Sequence, residues 1–257
     1  MRHEIKRNVL DRKIRIGAVS YLNTKPMIYG LHRGEIREQI DLITDYPSKV
    51  AAMLIDGSID IGLVPVAVID KVPNARIVTD VCIGCDGAVD SVAIFSEVPM
   101  DEIQTVVLDY QSRTSVALAQ LLLRDHWKQK VTFVPAQSED FRNQIAGTTA
   151  AVVIGDRALE QKTHSTYMYD LGAAWKDHTG LPFVFACWVA NKPLDPTFIG
   201  AFHAANLTGF AHLPEIVAAE AVPYTNLMDY YTRYIRYDLD EAKRNGMNLF
   251  LEKLSTL

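Results

Sequence analysis

The stretch Lys13-Ile14-Arg15-Ile16-Gly17-Ala18-Val19-Ser20-Tyr21-Leu22-Asn23-Thr24-Lys25-Pro26 changes character halfway along. Ile14 to Val19 is a short apolar run of β type. The loop after it is rich in hydroxyls and amides: Asn23 or Thr24 is placed to cap a helix, and Pro26 fits its first turn without losing a needed hydrogen bond. A helix to about Arg33 is expected, stopped by Gly34. The alternation recurs, with strands over 41–44 and 59–64 on either side of a helix over 47–56. Two βα units are thus complete by Pro65, the signature of α/β layering.

Working outward, a helical 66–71 and β-type runs over 75–79 and 89–96 lead to Glu97-Val98-Pro99, where the pattern breaks and a first crossing between lobes is expected. A second series follows, with strands over 105–109, 130–134 and 150–154 and helices over 112–127 and 138–146. It ends near Leu181-Pro182. The run 183–190 reads as a strand returning to the first lobe, and helices are expected at about 196–213, 214–221, 225–238 and 240–255. The expected architecture is two α/β lobes, one made of 1–96 and 184–257 and the other inserted as 97–183. Between them lies a cleft of the kind small ligands prefer.

A chain of 257 residues suits one large domain or two modest lobes. Hydrophobic residues at 49% and charged ones at 22% supply a core and argue against disorder. A net charge of -5 has the wrong sign for holding nucleic acid by broad attraction, so no nucleic-acid partner is expected and an anionic ligand must be held locally. Met1 to Arg12 carries no apolar run like that of a secretory signal, and no uninterrupted apolar stretch is long enough to span a bilayer. A cytoplasmic protein with no membrane partner is the expectation. Cys82 and Cys85 form one C-x-x-C with only Cys187 left over, which reads as buried thiols rather than a zinc site, and no metal is assigned. The oligomeric state is left open.

The sequence lacks G-x-S-x-G, a phosphate-binding P-loop, G-x-G-x-x-G and H-E-x-x-H. A site without a cofactor is the simplest remaining case. Three hydroxyl-rich or glycine loops fall where a strand ends and a helix begins, putting free backbone N–H groups beside polar side chains, which suits an anion. They are Ser20 to Lys25 with Tyr21, Asp109 to Ser115 with Ser112, Arg113 and Thr114, and Gly155-Asp156-Arg157. Each taken alone reads first as a plain helix cap. Asn23 offers an amide and Ser91 a hydroxyl; Arg113 and Arg157 offer charge or simply point into solvent. Phe183, Phe185 and Trp188 read as core, and Tyr230, Tyr231, Tyr234 and Tyr237 as one packed helical face. No histidine falls in the three loops, so no histidine base is nominated.

From Arg15 to Pro26 the sequence resembles the chorismate dehydratases of menaquinone biosynthesis by the futalosine route. The likeness continues through Asp60-Ile61-Gly62-Leu63-Val64-Pro65, Val89-Asp90-Ser91-Val92, Ser112-Arg113-Thr114-Ser115, Ile154-Gly155-Asp156-Arg157 and Thr179-Gly180-Leu181-Pro182-Phe183. The resemblance implies a type II periplasmic-binding-protein-like fold used as a cytoplasmic lyase. Its reaction removes water from chorismate to give 3-[(1-carboxyvinyl)oxy]benzoate with no cofactor. It further implies Asn23 and Ser91 at the reacting hydroxyl and a neighbouring carboxylate, and Ser112, Thr114 and Ser115 at a carboxylate. Ser20 and Asp156 are second choices, with Tyr21, Arg113 and Gly155 as further binding positions. With no histidine or paired carboxylate in the matched loops, the substrate's own enolpyruvyl carboxylate is the expected base. An enzyme forming 1,4-dihydroxy-6-naphthoate and a non-catalytic small-carboxylate-binding protein are the competing readings. The Ser20 to Pro26 and Thr179 to Phe183 blocks weigh against the first, and the lack of an export signal against the second.

Overall fold

The computed structural model describes residues 12–220 and 222–257, so the reading made at residues 1–11 lies outside the described residues. Among the described residues eleven strands form two mixed sheets. The first sheet holds β1 (Ile14–Val19), β2 (Ile40–Asp45), β3 (Ile61–Pro65), β4 (Arg76–Cys85), β10 (Phe183–Ala190) and β11 (Arg236–Asp238), in the order β11-β4-β10-β3-β1-β2. The second holds β5 (Val92–Ser96), β6 (Thr105–Leu108), β7 (Thr132–Pro135), β8 (Thr149–Ile154) and β9 (Tyr167–Asp170), in the order β7-β6-β8-β5-β9. β1 runs parallel to β2 and β3, whereas β10 is antiparallel to both β3 and β4. The returning chain therefore enters the middle of the first sheet rather than its edge.

Burial explains which runs became central. Every residue of β3 and of β10 is buried, as expected for strands covered on both faces, and both read as unbroken apolar runs. β7 is a fully exposed edge strand. The helix Thr114–Asp125 packs its Leu118, Leu121 and Leu122 inward, and the helix Glu241–Leu254 seats Phe250 against Phe183 and Trp175.

Several expectations need correcting. The strand expected over 89–96 begins at Val92 and pairs with β8 and β9, so the first crossing between the sheets lies at residues 86–91, upstream of the expected position near 96. The helix expected after Pro26 is a series of short pieces, Lys25–Ile28, Gly30–His32 and Ile36–Gln39. Where a helix over 225–238 was expected, a short turn Leu227–Asp229 passes into a π-helical segment Tyr230–Tyr234 and then into β11. The pairing demand of β4 wins there, because Ile235 must become extended for Arg236 to reach Gly84.

Candidate active site

At the carboxyl end of β1 the chain turns at Tyr21 into the single 3-10 turn Leu22–Thr24, which buries Asn23 to 7% exposure. Two bonds fix that residue. The Tyr237 hydroxyl donates to the Asn23 carbonyl at 2.9 Å, and Thr24 Oγ1 donates to Asn23 Oδ1 at 3.3 Å.

Ser91 is fully buried just ahead of β5, and its backbone is over-determined. Asp90 has φ 66°, a conformation that Asp tolerates better than most residues. The Val89 and Asp90 amides donate to the Asp170 carboxylate at 3.0 and 2.7 Å, and that carboxylate also caps the helix Leu171–Thr179 through the Ala173 amide. Gly155 N donates to the Ser91 carbonyl at 2.8 Å. The Tyr230 hydroxyl, itself buried, donates to Ser91 Oγ at 2.7 Å.

Ahead of the helix Thr114–Asp125, Ser112 Oγ accepts the Ser115 amide at 3.0 Å, the plain capping contact. Thr114 Oγ1 does something else. It accepts the Ala67 amide at 3.1 Å and so joins the second sheet's main helix to the segment that follows β3.

These groups surround one cavity between the sheets. Its apolar wall is Val19, Pro65, Ile83, Val92, Ile154 and Phe185, and its polar wall is Tyr21, Asn23, Ser91, Ser112, Thr114 and Ser115. Among the described residues the lining contains no Asp, Glu, His, Lys or Arg. Seven of the expected positions therefore converge: Tyr21, Asn23, Ser91, Ser112, Thr114, Ser115 and Gly155. Ser20 and Asp156 instead line an adjoining outer recess with Asp45, Tyr46, Gln111, Glu139 and Arg157. Arg113 does not reach the cavity: it sits on the outer side of the helix start and is exposed, where its charge stays hydrated.

The other arginine is committed elsewhere. Arg157 Nη2 meets Asp109 Oδ2 at 2.7 Å and Nη1 meets Glu139 at 3.2 Å, with the Asp109 side chain wholly buried. Burial pushes the Asp109 carboxyl above its ordinary range despite the arginine. Burial likewise holds Asp156 up at about 6, while its Oδ1 accepts the Leu22 amide at 2.9 Å. The Tyr21 hydroxyl donates to Gln111 across the lobes and also lies beside Arg157.

Sequence reasoning missed Tyr230 and Tyr237 as parts of the site, because spacings of three and four match an ordinary packed face. The one available signal was that a buried phenol needs a hydrogen-bond partner. Phe185, read as core, is buried and also forms cavity wall. Cys82, Cys85 and Cys187 are buried free thiols. No helix among the described residues is long and apolar enough to cross a membrane.

Residues 14–256 match the family model described as menaquinone biosynthesis. The chain is 26% identical to the chorismate dehydratase of Thermus thermophilus, over 93% of this chain and 94% of that protein. Among solved structures it is similar to a protein from Archaeoglobus fulgidus, with a TM-score of 0.75 at 12% identity, covering 95% of this chain and 97% of that one. It is also similar to the periplasmic aliphatic sulphonate binding protein of Escherichia coli, with a TM-score of 0.65 at 14% identity, covering 96% and 92%. At such identities the structural likeness establishes the fold alone, the two-lobed α/β architecture of periplasmic binding proteins.

Proposed function

The chain belongs to the menaquinone biosynthesis family, and from that premise we propose that it is a chorismate dehydratase, a hydro-lyase that works without a cofactor. The observation that carries the reading is the interlobe cavity lined by neutral hydrogen-bond donors and, among the described residues, by no ionisable acid or base other than Tyr21. Chorismate carries two carboxylates and a ring hydroxyl. Ser112 Oγ already accepts a backbone amide, and so does Thr114 Oγ1, which leaves each hydroxyl its own proton to donate to an anion. The cavity is thus biased toward carboxylates without a formal charge.

The reaction balances simply. The C3–H bond breaks, its electron pair becomes the C3=C4 bond of the aromatic ring, and the C4–O bond breaks to release hydroxide, which leaves as water with the abstracted proton. No electron acceptor is needed. Because the wall, among the described residues, offers no carboxylate or imidazole, the base in this reading is the substrate's enolpyruvyl carboxylate. Asn23 and Ser91 bind the departing hydroxyl and a neighbouring carboxylate, and the apolar wall excludes water and holds the ring in its reactive orientation.

The test is incubation of purified protein with chorismate, with no added metal or cofactor, and mass spectrometry for the aromatic enol ether. Product at catalytic turnover is expected. Tight chorismate binding without product would turn the reading to a binding protein.

A further inference from the structure

We propose that Tyr230 is a positioning residue of this site: its phenol donates to Ser91 Oγ and thereby commits the Ser91 proton to the cavity. The inference rests on the dehydratase reading above, since it assigns how one of that site's donors is aimed.

The argument starts from hydrogen-bond capacity. A serine hydroxyl has one proton and two acceptor lone pairs, and its proton rotates to suit its partners. Tyr230 is fully buried, with its hydroxyl 2.7 Å from Ser91 Oγ. A buried phenol that donated to nothing would forfeit the full desolvation cost of its O–H. Among the described residues, Ser91 Oγ is the acceptor that meets it. Once that lone pair is taken, the Ser91 proton is turned away from Tyr230. The residue lines the cavity, so the ligand is the partner left for it. Tyr230, Ser91 and the ligand thus form one short chain of hydrogen bonds. Hydrogen bonds in such a chain polarise one another, so the terminal donor is stronger than an isolated serine.

The backbone around Tyr230 fits this role. It opens the π-helical segment Tyr230–Tyr234, a geometry frequent at functional sites because the extra residue re-aims a side chain. Tyr230 N donates to the Asn226 carbonyl at 2.9 Å and Ile235 N to the Tyr230 carbonyl at 3.0 Å, pinning the residue at both ends. Seven residues on, Tyr237 holds the Asn23 carbonyl. One segment therefore fixes both Asn23 and Ser91.

The test is Tyr230→Phe, which keeps the ring and removes the hydroxyl, measured alone and in a Ser91→Ala background. Expected is a loss in kcat of about 10- to 100-fold with little change in KM, a melting temperature close to wild type, and no further loss when added to Ser91→Ala. Tyr231→Phe is the control, because its buried hydroxyl has no partner among the described residues and its loss should leave turnover unchanged. Site-specific 3-fluorotyrosine at 230 keeps both donor and fold and should retain kcat, which preserves the test if the phenylalanine variant fails to fold. Wild-type kcat in Tyr230→Phe, equal fractional losses in both backgrounds, or a fluorotyrosine loss as large as phenylalanine's overturns the proposal. A wild-type protein that makes no product from chorismate overturns the dehydratase reading and this proposal with it, whereas an active wild type with an unaffected Tyr230→Phe overturns this proposal alone.

Discussion

The Leu22 amide, on the loop after β1, donates to the Asp156 carboxylate, at the helix start after β8, across 2.9 Å and from one lobe to the other. Burial raises the proton affinity of that carboxyl from its ordinary 3.8 to about 6. Between about pH 4 and 6 the folded protein therefore binds more protons than the unfolded chain, so stability falls as pH rises through this window and stays reduced above it. Asp156→Asn keeps an acceptor for Leu22 but removes the ionisation. Relative to wild type it should be more stable at pH 7 and lose that advantage by pH 4, read from denaturant midpoints across the series. A difference that does not change with pH would count against this account.

Gly155 stands beside it with φ 64° and ψ -145°, backbone that side chains other than hydrogen rarely accept. A Cβ there would lie 2.8 Å from the Tyr21 ring, whose hydroxyl bridges to Gln111. Gly155→Ala therefore costs about 1–3 kcal/mol of backbone strain and also pushes Tyr21 out of the cavity wall. Both the unfolding midpoint and kcat/KM should drop. Tyr21→Ala in the same chain should restore part of the midpoint but not kcat/KM.

How far these features were legible in sequence differs residue by residue. The buried runs Ile61–Pro65 and Phe183–Ala190 announced themselves as central strands, because covering both faces demands unbroken apolar residues. The same uniformity hid which sheet Val92–Ser96 joins, since an all-apolar strand carries no mark of its partner. Arg113 and Arg157 look alike in sequence, each at a helix start. Only the fold puts Asp109 beside one and water beside the other. Asn23 and Ser91 came from a family likeness, and the tyrosine that holds Ser91 did not, because its contact spans 139 positions of chain.

Asn23→Ala should separate binding chemistry from stability. Its side chain makes one long bond, from Thr24 Oγ1 at 3.3 Å, so folding should lose no more than about 1 kcal/mol. Losing a donor aimed at the departing hydroxyl should cut kcat by about 100- to 1000-fold. Steady-state kinetics on a variant with an unchanged melting curve decides it; wild-type turnover would remove Asn23 from the reaction.

The three cysteines should be chemically silent in the native protein. Cys82 and Cys187 face each other as cross-strand partners of β4 and β10, and burial pushes the thiols of Cys82, Cys85 and Cys187 upward, so little thiolate exists near neutral pH. A thiol reagent should label none of them under native conditions and all three in denaturant. Rapid native labelling would mean that the first sheet opens.

Among the described residues Arg157 and Asp109 form the most buried ion pair, with side chains exposed by 13% and 0%. Removing one partner strands the other, so Arg157→Met should destabilise the fold by about 3–5 kcal/mol, well beyond what an exposed pair contributes. The stranded Asp109, already pushed above its ordinary range by burial, loses the guanidinium that opposes the push, and its proton affinity rises further. The unfolded chain releases that proton near the ordinary value of 3.8 and the folded variant only at higher pH, so the deficit should grow as pH rises and shrink toward pH 4. Asp109→Asn added to Arg157→Met removes the stranded charge and should recover part of the midpoint at pH 8 and little at pH 4. Equal deficits at both pH values would show that Arg157 contributes packing rather than charge.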